Sequence, residues 1–271
     1  MIQLDNRFID FDFQAQNKWL LGSIIDDEAK ELCASMPVYE DAFEPIPSSQ
    51  WKEIADHVDN EKSGAEWDIS RIFNQAQEGS CVGNAWTQDA EMNQARQFGK
   101  ENVIPLSAIS GYQLIGRSPG SGASVPNAME KGTSVGLVPL DTPKNRERFG
   151  NIVMPHTGFY TKRPEGCEAV AANFRMDERY VGRTFEGLMS AGLRNHGAIV
   201  GRAGHSIRYV RPTYRGIDPY FLYVNSWRES WGFAAAGFKG GFGADSRRMI
   251  QSSASWFFVV RSYVVPGWIK L

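Results

Sequence analysis

Residues 82–98 run without proline and set Ala85, Trp86, Ala90, Met92 and Phe98 among polar side chains, with Gly99 next in line to stop the turn. That pattern predicts one long helix, which the rest of the chain must cover. Shorter helical patterns occupy residues 49–58, 103–116, 125–132, 167–174 and 184–195, with an irregular stretch over 143–161. Residues 198–210, 220–225 and 255–265 are instead rich in Val, Ile, Phe and Tyr and read as strands. Helices first and strands last predict an α+β chain of two lobes with a cleft between them. The boundaries expected are a helical lobe over about 47–138 and an antiparallel β-rich lobe over about 139–271, preceded by an acidic extension over 1–46.

A chain of 271 residues is long enough to bury a substantial core. Its formal charge of -2 gives no support to nucleic-acid binding. No run of 18 apolar residues offers a membrane span, and the first 13 residues are acidic and alternating where a secretory leader would be basic and then apolar. The expectation is a non-secreted, cytoplasmic protein. Residues 1–50 hold ten Asp and Glu against Arg7, Lys18 and Lys30, so this head is expected to dock on its own body or on a basic partner. A plain solvated extension is the alternative. Within it, Phe8-Ile9-Asp10-Phe11-Asp12-Phe13 alternates like an edge strand, and 37–47 reads as an extended linker.

The three cysteines, Cys33, Cys81 and Cys167, are odd in number and widely spaced. That argues against a disulfide framework and against a CxxC metal site. Cys81 stands where the loop 75–80 passes into the long helix, a place where unpaired backbone N–H groups and the positive end of the helix dipole lower a thiol pKa. Gly79 allows close approach, and Ser80 is the expected cap. His205 lies in a strand-like run between Gly204 and Ser206, and Asn225 ends the next strand, where its carbonyl would orient an imidazole. Trp227 would shield that hydrogen bond from water. Taken singly, these are a small core residue, a strand histidine, a turn asparagine and a core aromatic; taken together, they are a nucleophile, a base and an orienting group. His57 and His156 have no comparable setting, and His196 is expected as a favourable charge at a helix C-terminus.

Together these segments resemble the papain-like (C1-type) cysteine peptidases over about residues 47–265. The likeness lies in Asn74-Gln75 six residues before the nucleophile of Gly79-Ser80-Cys81, in Gly204-His205, in Asn225-Ser226-Trp227 and in Trp231-Gly232. The resemblance implies a two-lobed papain-like fold, a catalytic Cys81, His205 and Asn225, and Gln75 as side-chain oxyanion donor beside the Cys81 N–H. It further implies a substrate-backbone edge within Gly120-Ser121-Gly122-Ala123-Ser124, with Gly122, Ser124 and Trp227 touching substrate, a peptide or protein substrate, and no metal or cofactor. Glu78 stands where many members carry a second Cys, Val82 replaces an aromatic, and Arg228-Glu229 replaces Gly-Thr. The segment Gln77-Glu78-Gly79-Ser80-Cys81-Val82-Gly83 is similar to the bacterial and bacteriophage branch, which implies association with a virion. Two other roles for residues 1–46 stay open: docking a structural, papain-like protein on a virion partner, or lying in the cleft as an inhibitory pro-segment.

Overall fold

The long helix forms where its pattern places it, spanning Cys81–Phe98, and Gly99 ends it with φ +86°. Its environment differs from an amphipathic surface helix: from Cys81 to Ala95 every residue is buried, polar ones included. A helix covered all round must satisfy its polar side chains internally. Glu91 pairs with Arg71 at 2.6 Å and accepts the Leu106 N–H, Gln94 brackets Ile104, and Asp89 meets Arg208 at 2.5 Å. Gly83 is required for the next contact, because a Cβ there would lie 2.8 Å from the Ala108 carbonyl oxygen.

This computed structural model describes residues 2–13, 23–202, 204–254 and 256–264. Among them the helices are α1 (Asp27–Ser35), α2 (Tyr39–Ala42), α3 (Trp51–Glu61), α4 (Cys81–Phe98), α5 (Ala108–Ile115), α6 (Val125–Ser134), α7 (Pro143–Phe149), α8 (Cys167–Ala171), α9 (Phe185–Leu193) and α10 (Arg247–Ser253). The strands are β1 (Met176–Gly182), β2 (Ala198–Arg202), β3 (His205–Arg215), β4 (Asp218–Val224), β5 (Phe233–Ala235), β6 (Phe238–Ser246) and β7 (Phe257–Tyr263). They form one antiparallel sheet in the order β1-β7-β2-β3-β4-β6-β5. Helices α4 to α8 build one lobe around a core that includes Trp86, Ile109, Tyr112 and Met129; the sheet with α3, α9 and α10 builds the other. The fold is α+β in two lobes, as the sequence pattern predicts.

Several local expectations change. The strand-like run 198–210 splits into two antiparallel strands with Arg202 paired to His205, so His205 opens β3 rather than lying inside a strand. The stretch 143–161 contains α7, whose start is set by Thr142 accepting the Asn145 N–H and by Pro143 in the first turn. Residues 37–47 are not an extended linker. They hold α2, whose Tyr39 is buried and hydrogen-bonded to His196 Nδ1 at 2.9 Å. Phe8 to Phe13 do not form an edge strand; a 3-10 turn over Asn6–Phe8 leads to a single parallel bridge between Ile9 and Ala244. Of the strand read over 255–265, both end residues lie outside the described set, and β7 covers its middle.

The strands around the site are held by buried ion pairs. Arg208 on β3 meets Asp89 on α4, Arg211 on β3 meets Glu66 and Asp59, and Arg202 on β2 meets Asp245 on β6. Breaking a buried pair strands the remaining charge, which costs about 3–5 kcal/mol. Arg208→Met is therefore expected to lower unfolding stability by about that amount in urea titrations. Arg146→Met, which removes the exposed pair with Asp141, should leave the midpoint within scatter.

Candidate active site

Cys81 is the first residue of α4, and the loop before it is pinned at Gly79, whose N–H donates to the Pro119 carbonyl at 2.7 Å. Ser80 does not cap the helix as expected. Its oxygens accept from Asn84 instead, at 2.9 Å for the backbone pair and 3.1 Å for the side-chain hydroxyl. The first-turn N–H groups are thus not taken up by a side-chain cap, and the positive end of the dipole faces the thiol region.

His205 and Asn225 come together because β3 and β4 are neighbours: one residue opens β3 and the other follows the last residue of β4. His205 Nε2 lies 2.8 Å from Asn225 Oδ1. That oxygen also accepts the Ser226 N–H at 2.7 Å, which identifies it as the carbonyl end of the amide. Nε2 must then carry the proton, so the lone pair of the neutral ring sits on Nδ1, a buried nitrogen with no hydrogen-bond partner. The helix that Cys81 opens packs along β2 and β3 and sends the Gln88 amide to the Asn225 carbonyl at 3.4 Å.

Gln75 joins the group by its main chain and side chain together. Its N–H donates to the Ser226 carbonyl at 2.9 Å, its Oε1 accepts from the Ser226 hydroxyl, and its Nε2 donates to the Glu78 carbonyl at 2.8 Å. The amide is thereby fixed in one orientation, with Oε1 on Ser226 and its NH2 on the Glu78 carbonyl. Trp227 packs on the His205 ring at 5.0 Å between centroids. Gly122 lies against the loop before Cys81, where a Cβ on Gly79 would meet its nitrogen at 3.4 Å; its N–H donates to the Tyr112 hydroxyl at 3.1 Å, and the Ser124 hydroxyl caps α6 by accepting from Asn127.

What the motif did not reveal is the cover. Cys81, His205, Asn225 and Gln75 have no exposed surface (0 %). Phe13, also fully buried, lies 4.5 Å from the His205 ring, 5.2 Å from Trp227 and 4.6 Å from the Arg202 guanidinium. Phe11 packs on Trp227 and Trp231, and its carbonyl accepts from Arg202 at 2.9 Å. Upstream, Asp10 holds the segment to β6 by accepting both the backbone N–H (2.7 Å) and the hydroxyl (2.8 Å) of Ser246. Downstream, Ser23 N–H donates to the Gly204 carbonyl at 2.8 Å and Ile24 N–H to the Ala123 carbonyl at 2.9 Å. Residues 2–13 and 23–24 therefore touch both lobes, against His205 on one side and the Gly122-Ala123 edge on the other. In the sequence Phe8 to Phe13 read as an edge strand; nothing in that pattern indicated that Phe13 lies on His205.

Burial under Phe13 has an electrostatic effect. Desolvation pushes the His205 imidazole down to about 4, the Arg202 charge adds to the fall, and the Asn225 hydrogen bond opposes it. The ring is neutral at pH 7. His196, expected as a charged residue at a helix end, is half-buried and pushed down to about 4 by desolvation, so it is neutral as well.

No family model matches the chain, and no curated protein matches its sequence. Solved structures do. One, from work on antibody cross-reactivity between the mite allergens Blo t 1 and Der p 1, superposes with TM-score 0.59 at 14% identity over 91% of this chain and 81% of that one. Procathepsin B from Trypanosoma congolense gives 0.59 at 11% identity over 92% and 88%. Xylellain, a cysteine protease from Xylella fastidiosa, gives 0.57 at 14% identity over 90% and 97%. At such identities the likeness establishes the papain-like two-lobed α+β fold.

Because the folded chain binds a proton at His205 less readily than the unfolded one, the stability gained by keeping the ring neutral is full above pH 6.5 and is lost as pH falls through about 4. Thermal melts from pH 7 to pH 4 are expected to show a falling midpoint, with a shallower fall in His205→Gln. Equal slopes in the two proteins would contradict this assignment.

Proposed function

We propose that the chain is a cysteine peptidase that acts by acyl transfer and is held latent by its own N-terminal segment. The observation that carries the reading is the His205–Asn225 hydrogen bond at 2.8 Å, which leaves Nδ1 as the basic nitrogen of the ring. In this mechanism the Cys81 thiolate attacks a peptide carbonyl, and the developing oxyanion takes hydrogen bonds from the Gln75 amide and the Cys81 N–H. His205 protonates the leaving amine and then activates water on the thioester, while Asn225 keeps its ring in plane.

Latency follows from the cover. With Phe13 on the imidazole and none of the four side chains exposed, a peptide cannot reach the thiol. A ring whose pKa lies near 4 also holds no proton with which to stabilise a thiolate at neutral pH. Displacing Phe13 hydrates the ring and lifts both restraints. The segment from Gln77 to Gly83 supports a place in the bacterial and bacteriophage branch. A second reading, docking of residues 1–46 on a virion partner, draws on Ile24 and Ile25, which are adjacent and 44 % and 55 % exposed.

Labelling by a thiol-directed epoxide separates these outcomes. The full-length chain should label slowly, Phe13→Ala at least about tenfold faster with cleavage of a diverse peptide library, and Cys81→Ala not at all. In the Phe13→Ala background, Gln75→Ala should lower kcat by about 10²–10³. No cleavage by Phe13→Ala while it remains folded sinks the peptidase reading, and equal labelling of the parent and Phe13→Ala sinks the latency.

A further inference from the structure

Glu78 lies midway between the two groups that would meet the oxyanion, three residues after Gln75 and three before Cys81. Its main chain and its side chain each make a definite connection. On the main-chain side, the Glu78 carbonyl accepts the Gln75 side-chain amide at 2.8 Å, and the Glu78 N–H closes the turn on the Gln75 carbonyl at 3.3 Å. Ala76 makes that turn possible by adopting φ +53°. On the other side, Glu78 Oε1 accepts two consecutive backbone N–H groups, from Gly158 and Phe159, both at 2.9 Å. Oε2 is buried and has no hydrogen-bond partner, so the bonds to residues 158 and 159 are what hold this side chain.

The loop that receives the carboxylate is itself firmly anchored. Ile109 N–H donates to the His156 carbonyl at 3.2 Å, Gln113 Nε2 donates to the Thr161 carbonyl at 2.8 Å, and Arg163 donates to the Ser110 carbonyl at 2.8 Å. All three partners belong to α5, against which Gly83 of α4 packs directly. Glu78 thus links the turn carrying Gln75 to a rigid helix, by a charged acceptor that makes stronger bonds than a neutral one. Without it, the peptide plane whose carbonyl aims the Gln75 amide keeps one tether outside the turn, the Gly79 N–H bond to Pro119 at 2.7 Å, and the Glu78 end of that plane has none.

We infer that Glu78 is a positioning residue for the oxyanion site: its carboxylate, seated on the Gly158 and Phe159 N–H groups, sets the carbonyl that orients the Gln75 amide. The inference rests on the peptidase reading for its catalytic consequence and on geometry alone for its structural one. Oxyanion stabilisation is sensitive to sub-ångström placement, whereas alkylation of a thiol forms no oxyanion. The two reactions therefore separate a positioning role from general damage.

The test uses the full-length chain carrying Phe13→Ala, comparing Glu78→Ala and Glu78→Gln for peptide hydrolysis and for Cys81 alkylation by iodoacetamide. Glu78→Ala should lower kcat by about tenfold to a hundredfold with KM within about twofold and with alkylation within about twofold. Glu78→Gln keeps the acceptor oxygen and should recover kcat to within about threefold of the parent. Unchanged hydrolysis in Glu78→Ala, or hydrolysis and alkylation falling together, overturns the inference. Should the Phe13→Ala parent alkylate but hydrolyse nothing, the peptidase reading fails by itself. Hydrogen exchange in the otherwise unsubstituted chain then decides the structural claim: Glu78→Ala must speed exchange at the Gly158 and Phe159 amides and at the Gln75 side-chain amide at least about tenfold, and unchanged exchange there refutes it.

Discussion

The contact on which the site depends is the buried carboxylate of Asp89. It sits on α4 and meets Arg208 of β3 at 2.5 Å, Tyr263 at the end of β7 at 3.2 Å and Asn93 one turn along its own helix at 3.1 Å. One carboxylate therefore ties the helix that begins at Cys81 to the strand that begins at His205. A hydrophobic contact between helix and sheet would allow sliding; a charge with several directed partners does not. The same logic repeats around it, with Glu91 and Arg71 on the other flank of α4 and Arg202 and Asp245 beneath the histidine. Buried ions are a costly way to hold two elements together. Here the Asp89–Arg208 pair joins the two lobes, α4 on one side and β3 on the other.

The second organising feature is the N-terminal segment, which uses the site as its own hydrophobic partner. Phe8, Phe11 and Phe13 pack into a group formed with Trp227, Trp231 and Tyr223, and the imidazole is one wall of it. Packing and electrostatics are coupled at that wall: the ring that covers His205 also removes the water that would stabilise its charged form. The chain continues past the cleft into the body, with Cys33 and Met36 buried in the helical lobe's core and Tyr39 in that of the sheet lobe. Glu40 accepts the Arg183 and Thr184 N–H groups at 2.9 and 2.8 Å, just before α9. The acidic composition of this head is thus partly spent on directed contacts with its own body, through Asp10 and Glu40.

Legibility followed the range of the interactions. The start of α4 next to Cys81, its end at Gly99 and the helices over Val125–Ser134 and Phe185–Leu193 depend on neighbours in sequence and were readable. Strands β5 and β6 were not, because Phe238 to Ser246 is glycine-rich, and its glycines are there for close approach: a Cβ on Gly243 would overlap the Tyr223 ring, and one on Gly241 would press on Ile72. Strand β1, with Asp177, Glu178 and Arg179 in its middle, carries too little apolar alternation to be recognised and forms by pairing with β7. The Ser80 cap was misjudged for a similar reason, since Asn84 competes for the same oxygens.

By itself the sequence determined the chemical inventory and its order: a cysteine at a helix start, a histidine after a glycine, an asparagine at a strand end, and a glutamine six residues upstream of the thiol. Side-chain type and local spacing are enough for that, because helix starts, turns and strand ends are decided within a few residues. Only the tertiary structure decided that Asn225 Oδ1 faces Nε2, that Ser226 and Glu78 hold Gln75 from two sides, and that Phe13 lies on the imidazole. Each of those joins residues far apart in the chain, and burial, which sets the protonation state of His205, is a property of everything packed around a group rather than of its neighbours in sequence.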